Sequence, residues 1–394
     1  MNTNLLTRFR DPALARELLG DIEQLTARLL AARPEISAER PLRLMEVCGT
    51  HTVAIARAGL RELLPPEISL ISGPGCPVCV TANRDIDRLI ACTRLPHVTV
   101  ATFGDMLRVP GSSSSLALRK AEGAAVEVVY SPLDALKHAV EDPGRQIVFA
   151  GVGFETTTPL IAATIKRAAA GQVSNFSVLA MQKQVPPAIA ALLADPEVAL
   201  DALILPGHVS TILGTEPYRF IASEHGIPGV ITGFEPADIL WGIAQLLRQL
   251  WRRTPEIQIA YERGVRPEGN PVARVAIAEV FEPADAIWRG LGAIPRSGSQ
   301  IRSTYTAYDA AHRFELEVEQ TVEPRGCRCG EVLRGVLAPD HCALFGRACT
   351  PQDPIGPCMV SSEGSCAAYF RYQIHDRVPR TPPQQPAQSE DGKR

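Results

Sequence analysis

No apolar run in the 394 residues approaches the roughly 20 needed to cross a bilayer, so no membrane span is expected. Strong charge of either sign is missing too. The net charge is −3, with 40 Lys plus Arg against 43 Asp plus Glu. A nucleic-acid or anionic-membrane surface would need a basic field that this balance does not supply. The sequence has no Walker A, no G-x-G-x-x-G and no G-x-S-x-G, which removes the usual supports for nucleotide binding and serine-hydrolase chemistry. Its first residues, MNTNLLTRFRDPALAR, lack an apolar h-region and a small-residue cleavage site, so a cytoplasmic, reducing home is expected. There, cysteine groups read as metal or redox sites rather than structural disulfides. No coiled-coil or oligomer signal stands out, and a monomer is expected.

Cysteine is what the chain does have. Its ten cysteines fall into groups. Cys329, Cys342, Cys349 and Cys366 follow C-x12-C-x6-C-x16-C, with Cys327 and Cys358 among them. This segment is rich in Gly and Pro, as loops wrapping a metal cluster would be. Four thiolates converging on one site suit a [4Fe–4S] cluster. Structural zinc is the competitor, but its paired Cys-x-x-Cys knuckles are absent. The bland alternative is a set of unliganded buried thiols. Cys327 and Cys329 are alternatives for the first ligand, and Cys358 reads as a spare. Far upstream lie Cys48 in VCGTH and the pair Cys76 and Cys79 in SGPGCPVC. A helix starting behind Cys-Pro-x-Cys would lower a thiolate pKa, which suits thiol redox chemistry or an open metal site. His51, three residues after Cys48, can act as base, proton donor or ligand.

The rest of the chain reads as α/β. Apolar, β-branched runs at 42–47, 67–72, 97–102, 125–130, 146–151, 176–181, 202–206 and 229–232 alternate with helical stretches, after an amphipathic helix at 12–33. Continuous apolar strands between helices predict two doubly wound parallel-sheet domains, plus a smaller Cys-rich iron–sulfur domain. The expected boundaries are 35–143 for the domain with CGTH and GPGCPVC, and 144–245 for the domain with GFETT and PGHVS. Residues 1–34 and 246–378 are assigned to the iron–sulfur domain, and the Pro/Gln-rich 379–394 to a disordered tail. Strands are also expected at 256–261 and 275–280, and a flexible loop at 111–115. Most strands end in a glycine-containing loop, where doubly wound folds line their ligand crevice. Those loops offer Asp105, Glu155 and His208 as further candidates, Glu155 as base or partner contact. The threonines of GFETTTP also read simply as helix caps.

Together VCGTH, SGPGCPVC, GFETTTP, PGHVS and CRCGEVLRG…CALFGRAC…MVSSEGSCAAY resemble the HypD family of hydrogenase maturation factors across nearly the whole chain. The resemblance implies a scaffold for assembling the Fe(CN)2CO group of [NiFe]-hydrogenase. It implies HypC, a small chaperone, as partner, and cyanide from HypE with HypF upstream. It also implies essential thiols at Cys48, Cys76 and Cys79 around the cargo iron, with His51 in the same motif, and cluster ligands at Cys329, Cys342, Cys349 and Cys366. The competing reading is a [4Fe–4S]-dependent thiol/disulfide oxidoreductase.

Overall fold

The computed structural model describes residues 9–372, so the expected tail at 379–394 lies outside the described residues. Its strands are β1 (Leu42–Glu46), β2 (Ile68–Ser72), β3 (Val98–Thr102), β4 (Val126–Val128), β5 (Gln146–Gly151), β6 (Phe176–Ala180), β7 (Ala202–Pro206), β8 (Gly229–Thr232), β9 (Ile257–Ile259), β10 (Phe281–Trp288) and β11 (Gly292–Ile301). Sheet order is β2-β1-β7-β8-β9 in one unit and β4-β3-β5-β6 in the other, with every neighbouring pair parallel. β10 and β11 form a separate antiparallel hairpin. The α/β class with two doubly wound parallel sheets is therefore present. No helix among the described residues is long and apolar enough to cross a membrane.

Sheet membership does not follow the expected cut at 143/144. The chain leaves the first sheet after β2, builds the whole second sheet, and returns at β7. Arg43 N donates to Asp201 Oδ2 across 158 positions of sequence. Hydrophobic periodicity identifies strands but carries no information on which of several similar strands pair. The N-terminal helix, Pro12–Ala32, also sits elsewhere than expected. Its Leu18, Ile22, Leu25 and Leu29 pack with Ile239, Leu240, Ile243 and Leu247 of helix Pro236–Arg252, in the first-sheet unit. The apolar run at 275–280 is helical, not a strand. Asn270 Oδ1 caps Ala273 N at 3.1 Å and Pro271 opens the helix Pro271–Val280. The serines at 111–115 are tied down: Ser112 binds both oxygens of Asp87, and Ser115 caps Leu118 N.

Each sheet starts in its middle, so each has a topological switch point: β1/β7 in one and β3/β5 in the other. Ligand crevices form at such points, outside the carboxyl ends of the strands. The loops after β1 and β7 carry Cys48 and His208, and those after β3 and β5 carry Asp105 and Glu155. Arg289 at the hairpin braces the segment that follows Cys79. Its guanidinium is nearly fully buried and binds Thr81 O, Asn83 Oδ1 and Glu323 Oε2 at 3.1, 3.1 and 2.7 Å.

Candidate functional site

At the β1/β7 switch point Cys48 occupies the cap position of helix Gly49–Arg57. The SGPGC loop after β2 crosses directly over it. Gly49 N donates to Gly75 O at 2.9 Å, and a Cβ on Gly75 would fall 2.2 Å from Cys48 N. This contact brings Cys48 beside Cys76. Cys76 caps the short helix Pro77–Val80 through Cys79 N, and the Sγ atoms of Cys76 and Cys79 stand 2.6 Å apart as free thiols. The three upstream cysteines are thus gathered in one place.

The low thiolate pKa expected of the Cys-Pro-x-Cys pair does not hold for Cys79, and Cys48 is high as well. Burial pushes Cys48 up to about 11, outweighing the backbone N–H groups of His51 and Thr50 that favour its thiolate. Burial also holds Cys79 well above the ordinary thiol range. A helix N-terminus one turn long does not offset removal from water.

His51 is completely buried. Its Nε2 lies 2.9 Å from Gly233 O and 2.8 Å from Thr232 Oγ1. A carbonyl only accepts, so Nε2 carries the proton and Nδ1 keeps its lone pair. Burial lowers the His51 pKa to about 4, leaving the ring neutral. His51 and His208 both stack on Phe234, with centroids 4.6 and 3.9 Å away. Glu363, from the SSEGS loop, closes this side of the crevice. Thr50 Oγ1 donates to its carboxylate at 2.7 Å, and its charge acts on both Cys48 and His208. Asp105 receives Ser361 Oγ at 3.0 Å, so it anchors this Cys-rich loop rather than facing the thiols.

The C-terminal cysteines form a second constellation. Cys327, Cys329, Cys342, Cys349 and Cys366 line one small cavity with Val332, Leu344, Phe345 and Met359. Gly356 forms part of the wall, and a Cβ there would come within 2.6 Å of the Sγ atoms of both Cys327 and Cys329. Ile355 N donates to Cys349 Sγ at 3.4 Å. A cradle of thiols in apolar surroundings, kept open by a glycine and supplied with an N–H to sulfur, fits an iron–sulfur group. Among the described residues no three His, Cys, Asp or Glu side chains stand at the spacing that holds a single metal ion.

Cys358, read as a spare, joins the two constellations. It lies outside the cavity and contacts Cys329 and Cys366 on one side and Cys79 on the other. The thiols of Cys329, Cys366 and Cys79 donate to it, so Cys358 is held well below the ordinary thiol range while Cys366 and Cys79 go up. Its Gly-Pro-Cys echoes the Gly-Pro-Gly-Cys upstream, a signal available in the sequence. Glu363 lies in the SSEGS segment and Phe234 in a second GFE loop, but neither stands out as a site residue, because each acts only through distant neighbours.

Glu155 sits on the β3/β5 side. Val185 N donates to its Oε1 at 2.9 Å. The threonines after it do not cap the helix: Thr157 and Thr158 donate back to Phe154 O. Glu155 is 6% exposed and lines a cavity of about 460 Å³ with Gln184, Leu213, Pro217 and Arg274. Burial pushes its carboxyl from the ordinary 4.5 up to about 7. A raised acid binds its proton more tightly folded than unfolded, so its contribution to stability is full below 4.5 and lost as pH rises through 7. At roughly 1.4 kcal/mol per unit the loss is about 3 kcal/mol. Glu155→Gln is therefore expected to melt above the parent at pH 8 and close to it at pH 4.5. Equal melting differences at the two pH values would refute the assignment.

The sequence model described as HypD, hydrogenase formation hypA family, matches residues 21–373. The hydrogenase maturation factor HypD of Rhodobacter capsulatus is 47% identical over 371 residues, covering 93% of this chain and 97% of that one. The HypD of Escherichia coli (strain K12) is 45% identical over 368 residues, covering 93% and 98%. The hydrogenase expression/formation protein HupD of Azotobacter chroococcum mcd 1 is 45% identical over 371 residues, covering 92% and 95%. With thiols gathered at one switch point and a cysteine-lined cradle behind them, the chain belongs to the HypD family of hydrogenase maturation factors.

Proposed function

We propose that this protein is the cytoplasmic scaffold on which the Fe(CN)2CO group of [NiFe]-hydrogenase is assembled, in complex with HypC and with cyanide received from HypE. The observation that carries this reading is the continuous series of thiols from Cys48 and Cys76/Cys79 through Cys358 to the cysteine cradle. Low-spin iron carrying cyanide and CO takes soft thiolates as its remaining anchors, and Cys76 with Cys79, or one of them with Cys48, would supply them at the β1/β7 switch point. His51 presents a neutral ring with a free Nδ1 lone pair on the same side, and His208 borders the mouth.

The cradle residues that would hold a [4Fe–4S] cluster are Cys342, Cys349 and Cys366 with Cys329 or Cys327. Such a cluster supplies single electrons at low potential. The remaining steps belong to the thiols. When Cys76 and Cys79 are joined as a disulfide, the Cys358 thiolate attacks Cys79 Sγ. A Cys358–Cys79 disulfide forms and Cys76 leaves as thiolate. Reduction of that disulfide by two electrons and two protons returns Cys358 and Cys79 as thiols. Cys76 and Cys79 are then free for iron.

The same series of thiols would serve a stand-alone disulfide oxidoreductase, and iron decides between the two. Mössbauer spectra of iron-57-labelled protein, purified without air after co-expression with its maturation partners, are expected to show [4Fe–4S] iron plus separate low-spin ferrous iron. The cluster signal alone would favour the oxidoreductase. Absence of sulfide-bridged iron would overturn the cradle assignment.

A further inference from the structure

Four buried polar atoms around the thiol crevice lack a hydrogen-bond partner among the described residues: His51 Nδ1, Glu155 Oε2, Ser210 Oγ and Tyr218 Oη. Folded proteins leave few such atoms, and they concentrate where something other than the protein is to be bound. Two of the four are hydroxyl donors. Ser210 lies on the first helical turns after β7, in helix Gly207–Leu213, and Tyr218 ends the turn Glu216–Tyr218. Both are 0% exposed. The Tyr218 phenol stands beside Ser210, within weak hydrogen-bonding reach of its hydroxyl alone, and within electrostatic reach of both Cys48 and Glu155. The walls around it are apolar, with Phe154, Val209 and Ile221 in the same core.

We propose that Ser210 and Tyr218 form a donor pocket beside Cys48 that hydrogen-bonds the cyanide ligands of the iron during its assembly. This deepens the scaffold reading and rests on it. Cyanide bound to a metal through carbon presents a nitrogen lone pair, and in a dry, apolar site it needs O–H or N–H donors. Carbon monoxide is a far weaker acceptor and is accommodated by apolar walls. Two hydroxyls against two cyanides, in otherwise apolar surroundings, would therefore sort the diatomic ligands by position. His51 does not compete for this task, because its free Nδ1 accepts rather than donates.

Infrared spectra of the anaerobically purified, cargo-loaded protein test the proposal, since donation to the cyanide nitrogen raises the C–N stretch. Tyr218→Phe keeps the ring and removes only the hydroxyl. Ser210→Ala makes the equivalent change at the second donor. Each is expected to move a cyanide band to lower wavenumber, with a smaller shift in the CO band, and Ser210→Thr is expected to restore the parent position. Cyanide bands at the parent wavenumber in both single variants would overturn the proposal while leaving the scaffold reading intact. Cyanide bands that survive in Cys48→Ala would instead overturn the placement of the iron at Cys48, and the donor pocket with it.

Discussion

Cys358→Ser is expected to reduce hydrogenase maturation to the level of a strain lacking this protein, while leaving the iron–sulfur signal in place. The two halves of this expectation have separate structural causes. Cys358 lies outside the cavity formed by Cys327, Cys329, Cys342, Cys349 and Cys366, so the cradle keeps all five thiols without it. It is, however, the thiol that contacts both Cys79 and the cradle pair Cys329 and Cys366. Attack on a disulfide requires a thiolate, and Cys358 is the cysteine placed against Cys79 to supply it. Serine preserves the size and removes the nucleophile. Alkylation-based mass spectrometry is expected to find Cys76 and Cys79 trapped as a disulfide in the variant. Normal maturation in Cys358→Ser would refute the relay. Loss of the iron–sulfur signal together with maturation would show that Cys358 is a ligand instead.

Gly75→Ala is expected to produce the largest stability loss of any single methyl addition near the crevice. The new Cβ would lie 2.2 Å from Cys48 N, 2.3 Å from its Cα and 2.6 Å from its carbonyl carbon. All three are backbone atoms, so no rotamer change relieves the clash, and either the SGPGC loop or the start of helix Gly49–Arg57 must move. Overpacking of this kind costs roughly 3 kcal/mol or more, and Tm is expected to fall by about 4 °C or more at the usual unfolding entropy per residue for a chain of 394 residues. The same movement separates Cys48 from Cys76, so iron loading is expected to fall further than stability does. Gly20→Ala is the control: its Cβ meets nothing within 4 Å in the middle of helix Pro12–Ala32, and removing a helical glycine stabilises by about 0.5–1 kcal/mol. A Tm for Gly75→Ala within 1 °C of the parent, as an order-of-magnitude criterion, would rule out close approach as the reason for that glycine.

Much of this was readable from the residues because the signals are local. Alternating apolar runs and helices locate β1 through β8, and glycine-rich loops mark the carboxyl ends where the motifs lie. What was not readable depends on contacts between distant parts of the chain. Strand pairing across 158 residues leaves no local mark. The run at 275–280 is apolar enough for either state, and the cap at Asn270 decides for helix. Spacing alone could not rank Cys327 against Cys329. Both face the cradle, but Cys329 also contacts Cys358, which makes it the cradle thiol closest to the exchange path. The pKa of Cys79 departs from expectation for a related reason: the helix start behind Cys-Pro-x-Cys is visible in the sequence, whereas the burial that overrides it is not.

The interrupted first sheet also sets an order of events during synthesis. β1 and β2 emerge early but have no inner neighbour until β7, whereas the second sheet, spanning Val98–Ala180, is complete once β6 has emerged. The second sheet is thus positioned to fold as a closed excursion that brings β7 back toward β1 and shortens the loop to be closed. Cys76 and Cys79 leave the ribosome well before the Cys-rich segment that buries them. A nascent chain would pass through a stage in which that pair is exposed and still lacks Cys358 and the cradle. The architecture thereby delays enclosure of the thiols until translation is nearly finished, when all of them can be brought together.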